Sequence, residues 1–155
     1  MQLETIAPNV TTLAATSDHC AAIAPDMVYA TVYARDGKPV ATLSRPRLYG
    51  DSAPGVPEAS GLFRLVLTNG DLVAAFGGVP TLHNIRRALS NYARAGAGVA
   101  DATPGEREEI AADARRLASD NMEVCRAASF PSFKASALTR AMRLERRAAI
   151  AGGQS

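Results

Sequence analysis

The 155-residue chain has no tryptophan, only two cysteines and two histidines, and aromatic residues make up only 5% of it. We therefore expect a tightly packed core lined by alanine, in which the larger aliphatic side chains supply most of the burial energy. Cys20 and Cys125 are too few for a disulfide framework, and we expect both to be reduced and partly buried. No apolar run approaches the roughly 20 residues of a membrane span.

The start of the chain lacks the features of a secretory signal. Residues 1–4 carry no basic group, and the alanine-rich stretch that follows is interrupted by Asp18 and His19. This pattern predicts a cytoplasmic protein that does not associate with membranes. From its length, we expect a single domain over residues 1–150 and a flexible tail over residues 151–155.

Charge is distributed in blocks of alternating sign, although the net charge is only +2. Residues 101–129 carry seven acidic and four basic side chains, whereas residues 130–155 carry five basic and one acidic. So small a net charge does not by itself imply a polyanionic partner. The pattern instead predicts that the last segment either presents a basic surface or pairs with the acidic segment before it.

The strongest local signals in the first half predict two β-hairpins. Residues 27–34 alternate as a strand does, Asp36-Gly37 favours a two-residue type I′ turn, and residues 40–44 form the returning strand. Asn69-Gly70 predicts a second turn of the same type, which pairs Thr68 with Asp71. Counting back along that hairpin places three pairs on one face, which we expect to point into the core: Leu67 with Leu72, Leu65 with Ala74, and Phe63 with Phe76.

Two other N-terminal segments have weaker patterns. Residues 11–24 are rich in alanine and are followed by Pro25, which predicts a short helix. Residues 45–61 contain three prolines and several glycines, so they predict an irregular loop. A loop of that length within a compact domain is usually functional or disordered.

Three amphipathic helices are predicted in the second half. The first follows the N-cap Thr81 and ends before Gly96, the second begins at Pro104 and runs to about Ser129, and the third begins near Ser132. Their predicted apolar stripes are Leu82, Ile85, Leu89 and Tyr92; Ile110, Ala114, Leu117, Val124 and Ala128, interrupted by Asn121; and Phe133, Ala137, Ala141, Leu144 and Ala148.

Together these patterns predict an α+β fold. An antiparallel sheet of two β-hairpins forms the N-terminal half, and about three helices in the C-terminal half pack on it. This order of elements occurs in many unrelated folds, so it implies no function.

No catalytic or cofactor motif stands out in the sequence. The adjacent residues Asp18, His19 and Cys20 would point about 100° apart on a helix, which does not suit a metal site. Ser52 lacks the surroundings of a hydrolase nucleophile, and nothing in the sequence brings His83 to a cysteine. We therefore expect no cofactor, no metal and no enzymatic activity, and a small hydrolase is the weakest alternative.

Arginine-containing surfaces are the remaining functional signal, because arginine and tyrosine are enriched in binding hot spots. The leading hypothesis is a non-enzymatic regulatory or inhibitory protein that docks on a protein partner, with self-association through the C-terminal helices as a further option. The alternative is a nucleic-acid-binding module that uses the last helix and the 45–49 loop. The arginines could equally form a solvated face or pair with the acidic block. The candidate partner-binding residues are Arg45, Arg47, Tyr49, Arg140, Arg143 and Arg147.

Overall fold

The structure is a computed structural model, and it describes residues 10–15, 28–46, 53 and 55–153. Within these residues, five antiparallel strands precede three α-helices, which confirms the predicted α+β class. The strands lie side by side in chain order. They are β1 (Val10–Ala15), β2 (Val28–Ala34), β3 (Pro39–Ser44), β4 (Phe63–Leu67) and β5 (Leu72–Phe76), and the helices are α1 (Leu82–Ala93), α2 (Pro104–Ala127) and α3 (Pro131–Ala151).

The helix predicted over residues 11–24 is wrong where the structure describes it. Residues 10–15 form β1, which pairs with β2 so that Leu13 faces Val32. Thr11 and Thr12 are β-branched and suit a strand better than a helix. The remainder of the predicted helix lies outside the described residues.

Both hairpins have three-residue turns in place of the predicted two-residue turns. The Gly70 N–H donates to the Leu67 carbonyl, and the Leu67 N–H donates to the Asp71 carbonyl. Gly70 has a φ of 97°, in the left-handed region that favours glycine. The Asn69 side chain also accepts a hydrogen bond from the Asp71 N–H, as Asn does in many turns. The Asp36-Gly37 turn has the same arrangement.

A β-bulge in β5 compensates for the extra turn residue. Val66 pairs with Leu72 while Leu65 pairs with Ala74, so Val73 has no partner opposite it. The predicted pairing of Leu67 with Leu72 is therefore wrong. Beyond the bulge the chains are back in the expected register, and the predicted pairs of Leu65 with Ala74 and of Phe63 with Phe76 are confirmed.

The main core lies between one face of the sheet and α1. Leu65 is completely buried, and Phe63 and Leu67 pack against the same cluster. The three side chains predicted to point inward therefore do so. The stripe predicted for α1 is also confirmed in the core. The larger members of this cluster are Val32, Val40, Leu43, Leu65, Val73, Ile85, Leu89 and Tyr92.

Capping side chains lie at the starts of α1 and α2. Thr81 accepts a hydrogen bond from the Asn84 N–H, and Thr103 forms a reciprocal capping box with Glu106. Both caps begin helices where the sequence predicted them. At the other end, α3 includes Ala151, which is buried, so the helix continues one residue into the predicted tail. Residues 154 and 155 lie outside the described residues.

Helix α3 covers the β5 edge of the sheet. The Thr139 hydroxyl accepts a hydrogen bond from the Ala75 N–H at 3.0 Å and donates to the Ala135 carbonyl at 2.7 Å. The outward N–H of Ala75 thus has an acceptor on a helix instead of on another strand. Around this contact lies a second core cluster, which includes Ala59, Leu62, Ala75, Cys125, Ala137 and Leu138.

Replacing Thr139 by valine is expected to destabilise the protein by about 1–2 kcal/mol. Valine has nearly the same shape, but it leaves the Ala75 N–H without its acceptor. The measurement is equilibrium urea unfolding, and Thr139→Ser is the control because serine keeps the hydroxyl. A Thr139→Val protein as stable as the wild type, beside a destabilised Thr139→Ser protein, would show that the methyl group, and not the hydrogen bond, stabilises this contact.

Candidate functional site

The predicted site residues lie on two parts of the chain. Arg45 directly follows β3 and is exposed. Arg47 and Tyr49 lie outside the described residues, so their role remains a prediction. Arg140, Arg143 and Arg147 are all on α3.

Arg147 differs from the other two because it is bound within the protein. Its Nη1 donates to the carbonyl oxygens of Ala95 and Ala97, at 3.0 and 2.8 Å. Ala95 belongs to the 3-10 helix Arg94–Gly96 that follows α1. The contacts seen for Arg147 therefore anchor this connection to α3.

Arg146 also points inward. Its guanidinium carbon lies 4.8 Å from the centre of the Tyr92 ring, which is a cation–π contact. Burial raises the pKa of the Tyr92 hydroxyl, so this group stays protonated. Two of the four arginines on α3 thus contribute to packing.

Arg140 and Arg143 remain exposed, one turn apart on α3. Within the described part of the chain, neither makes a hydrogen bond or an ion pair. They lie beside a small cleft of about 40 Å³ between α1 and α3, where Asn91 and Thr139 also line the wall. These two side chains can therefore bind an acidic group without first breaking a contact within the described protein.

Helix α2 leaves two of its larger apolar side chains outside, contrary to the predicted stripe. Leu117 is 41% exposed and Val124 is 56% exposed. The helix packs on α3 through smaller residues instead, because these let the two backbones approach closely. The buried positions of α2 are Ala111, Ala114, Ala118 and Cys125.

Two phenylalanines at the α2–α3 connection are also exposed. Phe130 is 66% and Phe133 is 63% exposed, and their rings meet edge to face with centres 5.9 Å apart. Phe133 was predicted to lie in the core, and this is wrong, although Ala137, Ala141 and Ala148 of the same stripe are buried. Exposed large rings packed on one another are unusual on a surface with no partner.

The exposed residues of α2 and α3 share one side of the helical pair. Residues two positions apart on a helix point about 160° apart. Arg126 pairs with Glu58 of the 3-10 helix Pro57–Ala59, so Val124 points away from that helix. Ala135 and Met142 belong to the cluster around Leu62, so Phe133 and Arg140 point away as well. We call this side the hairpin face: Leu117, Asn121, Val124, Phe130, Phe133, Arg140 and Arg143.

The two borders of the hairpin face carry opposite charges. On α2, Asp113 and Asp120 are exposed, and each lies four residues before an apolar residue of the face, Leu117 or Val124. On α3, the border is formed by Arg140 and Arg143. Of the two aspartates, Asp113 has an exposed ion pair with Arg116 at 3.5 Å on its own helix. The face therefore has an apolar centre, an acidic border and a basic border.

Cys125 and Glu58 have surroundings that shift their pKa values. Cys125 is completely buried, and burial raises the pKa of its thiol, which disfavours the nucleophilic thiolate. Hydrogen bonds from its own backbone N–H and from Arg126 lower the pKa of Glu58, which suits its ion pair. Among the described residues there is no cluster of three or more His, Cys, Asp or Glu that could hold a metal ion.

Of the two cysteines, Cys125 lies in the described part of the chain. Cys125 is buried and reduced, as the sequence predicts. Cys20 and Ser52 lie outside the described residues. Within the described segments, no helix is both long enough and apolar enough to cross a membrane.

Comparison with known proteins gives no match: no protein-family model, no curated protein and no solved structure is significantly similar to this chain.

Proposed function

We propose that the chain is a non-enzymatic binding protein, of the regulatory or inhibitory kind, that docks on a protein partner through the hairpin face. The observation that carries this proposal is the juxtaposition, on one side of two packed helices, of exposed apolar side chains with two arginines that have no partner among the described residues. Protein interfaces combine an apolar centre with a polar rim, and their hot spots are enriched in aromatic residues and arginine.

The composition of the face favours a protein over a nucleic acid. A phosphate backbone is bound mainly by rows of basic side chains. Here the two arginines stand beside Phe133 and opposite an acidic border, which would repel phosphate. Leu117 and Val124 would remain exposed to water in such a complex, whereas a protein partner would bury them.

The test is affinity capture from the native cell lysate, with and without nuclease. We expect partners of the tagged protein to survive nuclease treatment. The variant Arg140→Glu/Arg143→Glu should lower capture at least tenfold, because it replaces two unpaired cations by anions at the border of the face. Arg35→Glu/Lys38→Glu is the matched control, since it makes the same change in charge at an exposed turn of the sheet.

Two results would contradict the proposal. Loss of all partners after nuclease treatment would favour the nucleic-acid-binding module. Equal capture by the hairpin-face variant and the wild type would show that partners dock elsewhere, for example on the 45–49 loop.

A further inference from the structure

Helix α2 has a second apolar seam, which partly overlaps the stripe that packs on α3. The seam residues follow one another at alternating spacings of four and three, the pattern of a helix that packs on another helix. The first two seam residues are covered within the chain, because Ala114 is buried and Ile110 packs against Val99 and Ala151. Leu117 and Val124, farther along, are exposed. The seam extends over roughly 27 Å of helix, and its residues are Ile110, Ala114, Leu117, Asn121, Val124 and Ala128.

Asn121 lies in the middle of this seam, between Leu117 and Val124. Its Nδ2 donates to the Leu117 carbonyl at 2.8 Å, and its side-chain oxygen has no hydrogen bond within the described residues. A single asparagine among apolar seam positions is a known means of fixing the register and number of paired helices. The seam therefore has the form of an interface between helices.

The charges beside the seam indicate which helix would cover it. Asp113 and Asp120 border the face on α2, and Arg140 and Arg143 border it on α3. Two copies can stack face to face with α2 of one copy over α3 of the other, and this brings each acidic border against a basic one. Stacking α2 over α2 would instead oppose acid to acid, which is unfavourable.

We infer that the partner of the hairpin face is a second copy of this chain, related by a two-fold axis along the helical pair so that α2 of each copy packs on α3 of the other. This inference rests on the proposed function, because it names the protein that docks on the same face. The arrangement is isologous and therefore closed, as in most symmetric dimers.

The available area suits a weak, transient dimer. Two helices packed side by side present a face roughly 20 Å wide, which over the roughly 17 Å from Leu117 to Ala128 gives roughly 350 Å² per copy. The total of roughly 700 Å² lies below the standard size and in the range of weak, transient complexes. We therefore expect dissociation at high micromolar concentrations.

The experiment is sedimentation velocity on the purified full-length protein across the micromolar range. The wild type is expected to shift from monomer to dimer as its concentration rises. Leu117→Ser/Val124→Ser should raise the dissociation constant at least tenfold, since it removes apolar area from the seam. Both positions are exposed within the monomer, so folding should be preserved, as circular dichroism can verify.

Charge reversal tests the orientation of the two copies. Asp113→Lys/Asp120→Lys and Arg140→Glu/Arg143→Glu should each weaken the dimer, because each opposes like charges. A chain with all four changes should recover dimerisation, since its borders are again complementary. Arg35→Glu/Lys38→Glu serves as the control and should dimerise as the wild type does.

Three outcomes would overturn the inference in distinguishable ways. A wild type that stays monomeric but still captures another protein through Arg140 and Arg143 would refute the second copy and leave the proposed function standing. A monomer that captures nothing would refute both. A dimer that is unaffected by Leu117→Ser/Val124→Ser would place self-association on another surface.

Discussion

Replacing Gly77 by alanine is expected to destabilise the protein by about 3 kcal/mol, the upper end of the usual cost of overpacking. Gly77 follows β5 and lies against the first turn of α3. A Cβ atom at this position would lie 2.8 Å from the Ser132 nitrogen and 2.9 Å from the Pro131 carbonyl carbon. Both are backbone atoms, so the helix itself would have to move to relieve the contact.

Gly78 provides the matched control for this prediction. A Cβ atom added there would meet nothing within 4 Å, so Gly78→Ala should change the free energy of unfolding by less than about 0.5 kcal/mol. The measurement is equilibrium urea unfolding of both variants beside the wild type. A Gly77→Ala protein as stable as Gly78→Ala would show that α3 does not lie this close to the end of β5.

Replacing Arg147 by methionine is expected to lower the free energy of unfolding by about 2 kcal/mol. Methionine keeps most of the length of the side chain but removes the donors to the Ala95 and Ala97 carbonyls. Hydrogen bonds from a charged group are stronger than neutral ones, and these two fix the connection after α1. Arg147→Met should therefore loosen that connection while α3 remains helical.

Arg143→Met is the control on the same helix. Arg143 is exposed and has no hydrogen bond or ion pair among the described residues, so its loss should hardly change the urea midpoint. The two variants should behave in the opposite way in affinity capture, where Arg143→Met weakens binding and a folded Arg147→Met does not. Equal losses of stability would mean that the carbonyl contacts of Arg147 do not stabilise the fold.

Local chemistry made much of this fold predictable from the sequence. Asn69-Gly70 locates a hairpin because few residues other than glycine adopt the positive φ that the turn needs. Pro104 locates the start of α2 because its fixed φ suits the first helical position, where its missing N–H is not needed. The apolar stripe predicted for α1 was confirmed because this helix packs on a sheet face lined by larger side chains. Ile85 and Leu89 are buried against that face.

The turn length was not predictable from the same signals. Asn-Gly suits both two-residue and three-residue loops, and the choice depends on the twist and bulges of the strands. The bulge at Val73 restored the register, so the error remained local. β1 was missed for a related reason, because its pairing with β2 involves residues that are distant in the sequence.

The sequence did not predict the hairpin face, because we assumed that the larger apolar residues of α2 would be the buried ones. Assigning α2 by its larger apolar residues placed Leu117 and Val124 in the core, whereas α3 packs on the alanine stripe that contains Ala111 and Ala118. Both stripes are visible in the sequence, but periodicity does not say which one faces the rest of the chain. Only the position of α3 decides this.

The positions of the α3 arginines were also not predictable from the helix alone. The sequence grouped Arg140, Arg143 and Arg147 as candidate binding residues on one helix. The structure separates them, since Arg147 donates to acceptors about 50 residues away, while Arg140 and Arg143 are exposed. The neighbouring Arg146 stacks on Tyr92. A long side chain near the border of a helix reaches inward or outward according to neighbours that its own helix does not specify.

The hydrogen bond between Ala75 and Thr139 can form only late in the synthesis of the chain. The two residues are 64 positions apart, so β5 is complete well before the helix that shields it has been synthesised. During that interval the outer N–H and C=O groups of β5 are open to any other nascent chain, which is the situation in which β-proteins aggregate. A chain that ends before Thr139 would lack this acceptor, so the outer backbone groups of β5 would stay available for pairing with other chains.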